Sequence, residues 1–146
     1  MDVDVSTSIV IRRPCREVAA FAMEPDNAPR WYVNIKAVQW KTPPPLRVGS
    51  QVAFVAHFMG RNLAYTYEIA TLIAGERLVM RTAEGPFPME TTYEFVSTDQ
   101  GGTLMTLRNR GTPSGFGRLM APFMALAMRR ANRKDLSCLK QILEAV

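Results

Sequence analysis

A single histidine, His57, is all the imidazole available to this chain of 146 residues. A Ser-His-Asp or Cys-His triad would need it as the base. A metal site would need partners for it, and one histidine with two distant cysteines does not make a ligand set. Those cysteines, Cys15 and Cys138, fall in segments with helical character, far apart in the sequence. So few thiols argue against a disulfide framework and fit a reducing, cytoplasmic setting. No apolar run approaches the roughly 20 residues that a membrane helix needs. The start, Met1-Asp2-Val3-Asp4, is acidic and lacks the basic-then-apolar layout of a signal peptide. There is no Walker A loop. Gly115-Phe116-Gly117 lacks the third glycine and the preceding strand of a dinucleotide fingerprint, and reads as helix-start punctuation. Neither a metal nor a nucleotide cofactor is expected.

What is present is the ordinary material of one soluble domain. Hydrophobic residues make up 47% and charged residues 21%, and the length supports a single core. The net charge of +5 is concentrated near the C-terminus. From Pro113 onward Arg118, Arg129, Arg130, Arg133, Lys134 and Lys140 face only Asp135 and Glu144. Such a face either is simply solvated or meets an anionic partner. It has no interleaved aromatics for base stacking, so nucleic acid is not expected as that partner.

The chain opens on a period-two pattern, Val3, Val5, Thr7, Ile9 and Ile11 against Asp4, Ser6 and Ser8, which predicts a half-buried strand. Pro14 suits the first turn of a short helix striped by Val18, Phe21 and Ala22. Pro25-Asp26-Asn27 breaks it, and Asp26 or Asn27 is expected to cap a second short turn ending near Trp31-Tyr32. A second strand, roughly Ile35 to Lys41, stops at Pro43-Pro44-Pro45. Turns at Met59-Gly60-Arg61, Ala74-Gly75 and Gly101-Gly102 then divide a strand-rich block. The Ala74-Gly75 turn places Ile69 opposite Met80, Tyr67 opposite Thr82 and Glu68 opposite Arg81, the last an exposed pair of opposite charge. From Ser114, a plausible cap, the pattern is helical to the end, with Pro122 expected to kink the helix or to split off a first segment.

Alternation assigns each strand two faces. Glu68, Arg77, Arg81, Glu90, Glu94 and Arg108 occupy the solvated one, with His57 on that side too. The other carries Phe54, Phe58, Tyr65, Tyr67, Met80, Met89, Thr91, Tyr93, Phe95, Met105 and Asn109. Each large apolar side chain buried there contributes roughly 1.5–3 kcal/mol, so that face must be covered. Only the terminal helix is long enough, through Phe123, Met124, Ala127, Ala131, Leu139, Ile142 and Leu143. The predicted architecture is α+β: a curved antiparallel sheet of about seven strands, two short helices, and a long C-terminal helix over the concave face, in one domain spanning 1–146. A cavity between sheet and helix is expected to be lined by Trp31, Phe54, Phe58, Tyr65, Tyr67, Met80, Met89, Thr91, Tyr93, Met105, Asn109, Met120, Phe123, Met124 and Ala127. Methionine suits adaptable apolar binding and also fills ordinary cores. The tyrosine hydroxyls either satisfy one another or present donors to a ligand.

This element order resembles the helix-grip fold of the START/Bet v 1-like (SRPBCC) superfamily, and within it the bacterial polyketide cyclase/dehydrase and lipid-transport family. The likeness rests on four stretches. Pro14-Cys15-Arg16-Glu17-Val18 with Glu24-Pro25-Asp26-Asn27 and Trp31 is similar to the family's first helix pair. Tyr65-Thr66-Tyr67-Glu68-Ile69 resembles its long central strand, and Tyr93-Glu94-Phe95 leading to Gly101-Gly102-Thr103 its penultimate hairpin. Phe116-Gly117-Arg118-Leu119-Met120, with Leu136, Leu139-Lys140 and Glu144, resembles its terminal helix. The resemblance implies a cavity for a lipid-, aromatic- or polyketide-like molecule. It leaves three roles open. The first is a non-catalytic binder of a hydrophobic small molecule. The second is a cyclase/dehydratase-type enzyme using Tyr65, Tyr67, Tyr93 or Asn109 as acid or orienting group. The third is a toxin-like, ribosome-associated protein working through Arg129, Arg130, Arg133 and Lys134. A monomer or a homodimer is expected, the latter through an exposed strand edge.

Overall fold

The computed structural model describes residues 2–58, 60–113 and 116–145. Met59, expected in a turn, and Ser114, expected as a helix cap, lie outside the described residues. The elements run β1 (Val3–Ile11), α1 (Cys15–Met23), a 3-10 turn (Pro25–Asn27), α2 (Ala28–Trp31), β2 (Ile35–Trp40), β3 (Gln51–Phe58), β4 (Arg61–Ile73), β5 (Arg77–Glu84), β6 (Met89–Ser97), β7 (Thr103–Gly111), α3 (Phe116–Leu119) and α4 (Ala121–Glu144). The seven strands form one antiparallel sheet in the order β1-β7-β6-β5-β4-β3-β2. The sheet curls, and α4 packs chiefly along β1 at its edge. This is the helix-grip architecture that the pattern of strands and terminal helix predicts.

Local chemistry explains the breaks. Pro14 precedes α1, where its missing N–H costs nothing. Asn27 takes the N-cap position of α2, but neither its side chain nor that of Asp26 bonds the helix's free N–H groups. Asn27 Nδ2 instead donates to Phe21 O at 3.1 Å, and Asp26 Oδ1 accepts from Trp40 Nε1 at 2.8 Å, so both side chains tie neighbouring segments together. Pro122 sits in the first turn of α4 and separates it from α3, the split rather than the kink. Phe58 pairs with Arg61, which leaves a two-residue loop with Gly60 at φ 76°.

The β4–β5 hairpin reaches its expected register by an unexpected route. Ile73 pairs with Arg77, so its loop has three residues, and a bulge between Ile69 and Thr71 absorbs the extra one. Tyr67 therefore still faces Thr82, and Ile69 still faces Met80. Glu68 lies opposite Arg81 in register, yet the ion pair goes elsewhere: Arg81 Nε donates to Glu90 Oε2 at 2.8 Å, and Gln51 Nε2 donates to Glu68 at 3.1 Å. Arg110 also reaches Glu90, at 3.3 Å, and holds that carboxyl with Arg81 below the usual carboxylate range.

Two apolar clusters meet under α4. The larger joins α1, α2 and the sheet around Trp31, Ile11, Met105, Leu107, Leu136 and Leu139. The smaller gathers Val3, Val5, Met89, Ala121 and Met128, with Phe58, Tyr65, Phe87 and Met124 against it. Helix α4 buries Met128, Asn132, Asp135, Leu136, Leu139 and Leu143. That face is rotated from the expected stripe. Ala127 is half-buried, and Phe123 is turned outward with 62% of its surface exposed. The rotation follows from Asn132 and Asp135, two polar residues that sit on the buried side and interrupt the apolar period. No helix among the described residues is long and apolar enough to cross a membrane.

Candidate functional site

Where the two clusters meet, the concave face and α4 enclose a cavity of about 140 Å³ that is partly open to solvent. Its sheet wall is built by strict alternation. Strand β3 supplies Phe54, Ala56 and Phe58, β4 supplies Leu63, Tyr65 and Tyr67, β5 supplies Met80, β6 supplies Met89, Thr91 and Tyr93, and β7 supplies Asn109. Helix α4 closes it with Met124, Met128, Ala131, Asn132 and Asp135, and Tyr32, Asn34, Ile35 and Phe87 complete the wall. The aromatic rings touch edge-on along it. Phe54 and Tyr67 centroids lie 5.9 Å apart, and Tyr65 meets Phe87 at 6.2 Å. A side chain at Gly85 would run into the Tyr65 ring, so glycine there lets the ring keep its place in the wall.

Of the residues named from the sequence, Phe54, Phe58, Tyr65, Tyr67, Met80, Met89, Thr91, Tyr93, Asn109 and Met124 line this cavity. Trp31 and Met105 do not. Both are fully buried in the larger core, where Trp31 stacks 4.1 Å from Tyr32 and supports the wall from behind. Met120, Phe123 and Ala127 also stay outside the lining. Ala56 and Leu63 share the period-two face of their neighbours, and Met128 follows Met124 by one turn, so those positions were legible. Phe87 precedes Met89 by two residues and shares the phase of β6, whereas Tyr32 and Asn34 come from element ends and loops, where periodicity carries no signal. Asn132 and Asp135 are the polar residues that alternation could not place.

The polar groups fall into three sets. Tyr32 Oη and Tyr93 Oη are 2.6 Å apart, one donating to the other. Thr91 Oγ1 donates to Asn109 Oδ1 at 2.6 Å. On α4, Asp135 Oδ1 accepts from the Val33 backbone N–H at 2.9 Å, while Asn132 Nδ2 is buried with no partner among the described residues. Burial raises every cavity phenol: Tyr67 is pushed up to about 12, Tyr65 and Tyr93 lie higher still, and Tyr32 is raised well above the ordinary phenol value. At neutral pH these hydroxyls stay protonated and act as donors. Burial also raises the Asp135 carboxyl, to about 7, against the lowering effect of the Val33 N–H. Asp135 is thus the lining group that titrates near neutrality. His57 lies outside the cavity, exposed, with Nδ1 3.0 Å from Asn62 Oδ1. No three His, Cys, Asp or Glu side chains among the described residues form a metal-holding group.

Removing the Tyr93 hydroxyl strands its Tyr32 partner in a poorly hydrated place. Tyr93→Phe is expected to lower the unfolding free energy by roughly 1–3 kcal/mol, measured by urea denaturation. A change near zero would mean that the pair does not hold the wall.

A curled antiparallel sheet gripped by a C-terminal helix over an apolar cavity defines the START-like class of proteins. The family model for "Polyketide cyclase / dehydrase and lipid transport" matches residues 2–144, and the chain belongs to that family. Solved structures share the fold across nearly the whole chain. A protein from Thermus thermophilus superposes with a TM-score of 0.84 at 18% identity, covering 97% of each chain. A START superfamily protein from Mycobacterium smegmatis gives 0.80 at 13%, again over 97% of each. An aromatase/cyclase from a Streptomyces species gives 0.80 at 14%, over 97% of this chain and 93% of that one. At such identities the likeness is one of fold. Among curated proteins, none matches the sequence.

Proposed function

We propose that this protein binds a hydrophobic small molecule, lipid-, aromatic- or polyketide-like, in the cavity between its sheet and α4. The observation that carries this is the character of the wall: aromatic rings and methionines surround about 140 Å³, with a few polar groups set among them. That combination is usual for small-molecule sites. A cavity of about 150 Å³ lined by apolar residues accommodates a benzene ring, and the partly open mouth leaves room for a longer molecule to extend. Four methionines in the wall, Met80, Met89, Met124 and Met128, suit ligands of varied shape.

The binding role needs no chemistry. The phenols are held protonated, so they can donate hydrogen bonds to a bound molecule and cannot serve as bases. A cyclase/dehydratase reading is favoured by one observation, the Asp135 carboxyl poised near neutrality inside the cavity. It transfers the acid–base role from the tyrosines to Asp135. Under that reading Asp135→Asn abolishes turnover of a poly-ketone substrate without unfolding the protein.

The binding role is tested by purifying the protein natively, extracting it into organic solvent and identifying co-purified compounds by mass spectrometry. An apolar compound at near-stoichiometric amount is the expected result. No extractable compound, together with no uptake of added aromatic or acyl probes, would overturn the proposal.

A further inference from the structure

The α4 wall holds a buried donor with nothing to donate to. Asn132 is only 4% exposed and lines the cavity, and its Nδ2 has no hydrogen-bond partner among the described residues. Two other side-chain nitrogens share that condition, Trp31 Nε1 and Arg110 Nε, but neither residue lines the cavity. A buried donor left unpaired costs roughly 1–3 kcal/mol. A ligand that offers it an acceptor recovers that cost on binding.

The surroundings of Asn132 narrow the acceptor. Asp135 follows three residues later on the same helical face, is 2% exposed and also lines the cavity. One of its oxygens is taken by the Val33 N–H. The groups facing it from other elements are neutral: the Tyr32 hydroxyl at the end of α2 and the Tyr93 hydroxyl on β6. Among the described residues, no lysine, arginine or histidine lines the cavity. An anionic ligand group would therefore lose its hydration beside a carboxyl and find no counter-charge, a steep cost.

Resting on the binding function above, we propose that Asn132 Nδ2 donates to a neutral carbonyl oxygen of the bound molecule, a ketone, ester or amide, and that the same wall turns carboxylates away. The polar end of the ligand would then lie against α4, and its apolar body against the sheet. Free fatty acids, whose head group is anionic at neutral pH, fall outside the preferred class, while esters and aryl ketones fall inside it.

Acetophenone, ethylbenzene and benzoate test this, because they are close in size and differ in the group offered to α4. Affinities are measured by calorimetry for the wild type and for Asn132→Leu. The acetophenone-to-ethylbenzene affinity ratio is expected to fall roughly tenfold in the variant, the loss of one hydrogen bond, because comparing variants cancels the different hydration of the two compounds. Benzoate is expected to bind the wild type at least roughly tenfold more weakly than acetophenone at pH 8. In the wild type, the Asn132 side-chain amide protons should move downfield with acetophenone beyond the ring-current shift that ethylbenzene alone produces. An unchanged ratio, no such added shift, or benzoate binding as well as acetophenone would overturn the inference while leaving the cavity function intact. If none of the three compounds binds, the cavity function fails and this inference with it.

Discussion

At pH 8, Asp135→Asn is expected to raise the unfolding free energy relative to wild type by about 4 kcal/mol, and at pH 4 by far less. Burial raises the folded-state pKa of Asp135 from 3.8 to about 7. The folded protein thus holds a proton that the unfolded chain releases once the pH exceeds about 4. Stability from this group is fully present below the unfolded value and is lost as pH rises through the folded one. Asparagine keeps an acceptor for the Val33 N–H and carries no charge at any pH, so it escapes that loss. Glu144, Asp4 and Glu90 act in the opposite direction, because ion pairs lower their carboxyls, Glu144 to about 2. They are common to both proteins and cancel in the difference. Urea unfolding of the two proteins between pH 4 and pH 8 measures it. A difference that does not change with pH would show that Asp135 is not held neutral by its surroundings.

Ala131→Phe is expected to abolish ligand binding while leaving the protein folded. Ala131 sits half-buried on α4 and lines the cavity, so a ring placed there occupies the space a ligand would use. Affinity for acetophenone should drop by at least about a hundredfold, equivalent to roughly 2.7 kcal/mol. Added bulk in a packed core costs about 1–3 kcal/mol, but bulk placed in a pre-existing cavity gains contacts that offset it. The expected outcome is thus lost binding at near-unchanged stability. A variant that binds as well as wild type would place the ligand elsewhere.

Much of this architecture was legible because the sheet is covered on one face only. Alternation along β6 and β7 put Met89, Thr91, Tyr93, Phe95, Met105, Leu107 and Asn109 on one side, and all are buried there. The register of β4 against β5 came out as expected only because a three-residue loop and a bulge compensate each other. The turn residues gave no hint of the bulge; its trace is a change of phase along β4, where Ile69 and then Leu72, not Ile73, pack into the core. Helix α4 was harder. A helix read by its apolar residues alone points Phe123 and Ala127 inward, whereas Met128, Asn132 and Asp135 occupy that side. The face follows the geometry of packing, and polarity misleads where a buried site holds its polar groups. Asn132 and Asp135, hidden from sequence reasoning, are the polar groups that α4 adds to the tyrosines, Thr91 and Asn109 that alternation had placed in the cavity.

The distribution of methionines offers the most direct test of a ligand site between sheet and helix. Met80, Met89, Met124 and Met128 line the cavity, while Met23 and Met105 are buried outside its lining. Each methyl group reports its own surroundings when the protein is labelled at the methionine methyls and titrated with acetophenone. The account predicts ring-current shifts at the four lining methyls, with Met23 and Met105 nearly unmoved, and no shifts in Ala131→Phe. Saturable binding that moves Met23 or Met105 and spares the lining methyls, or no shift at any of them, would contradict it.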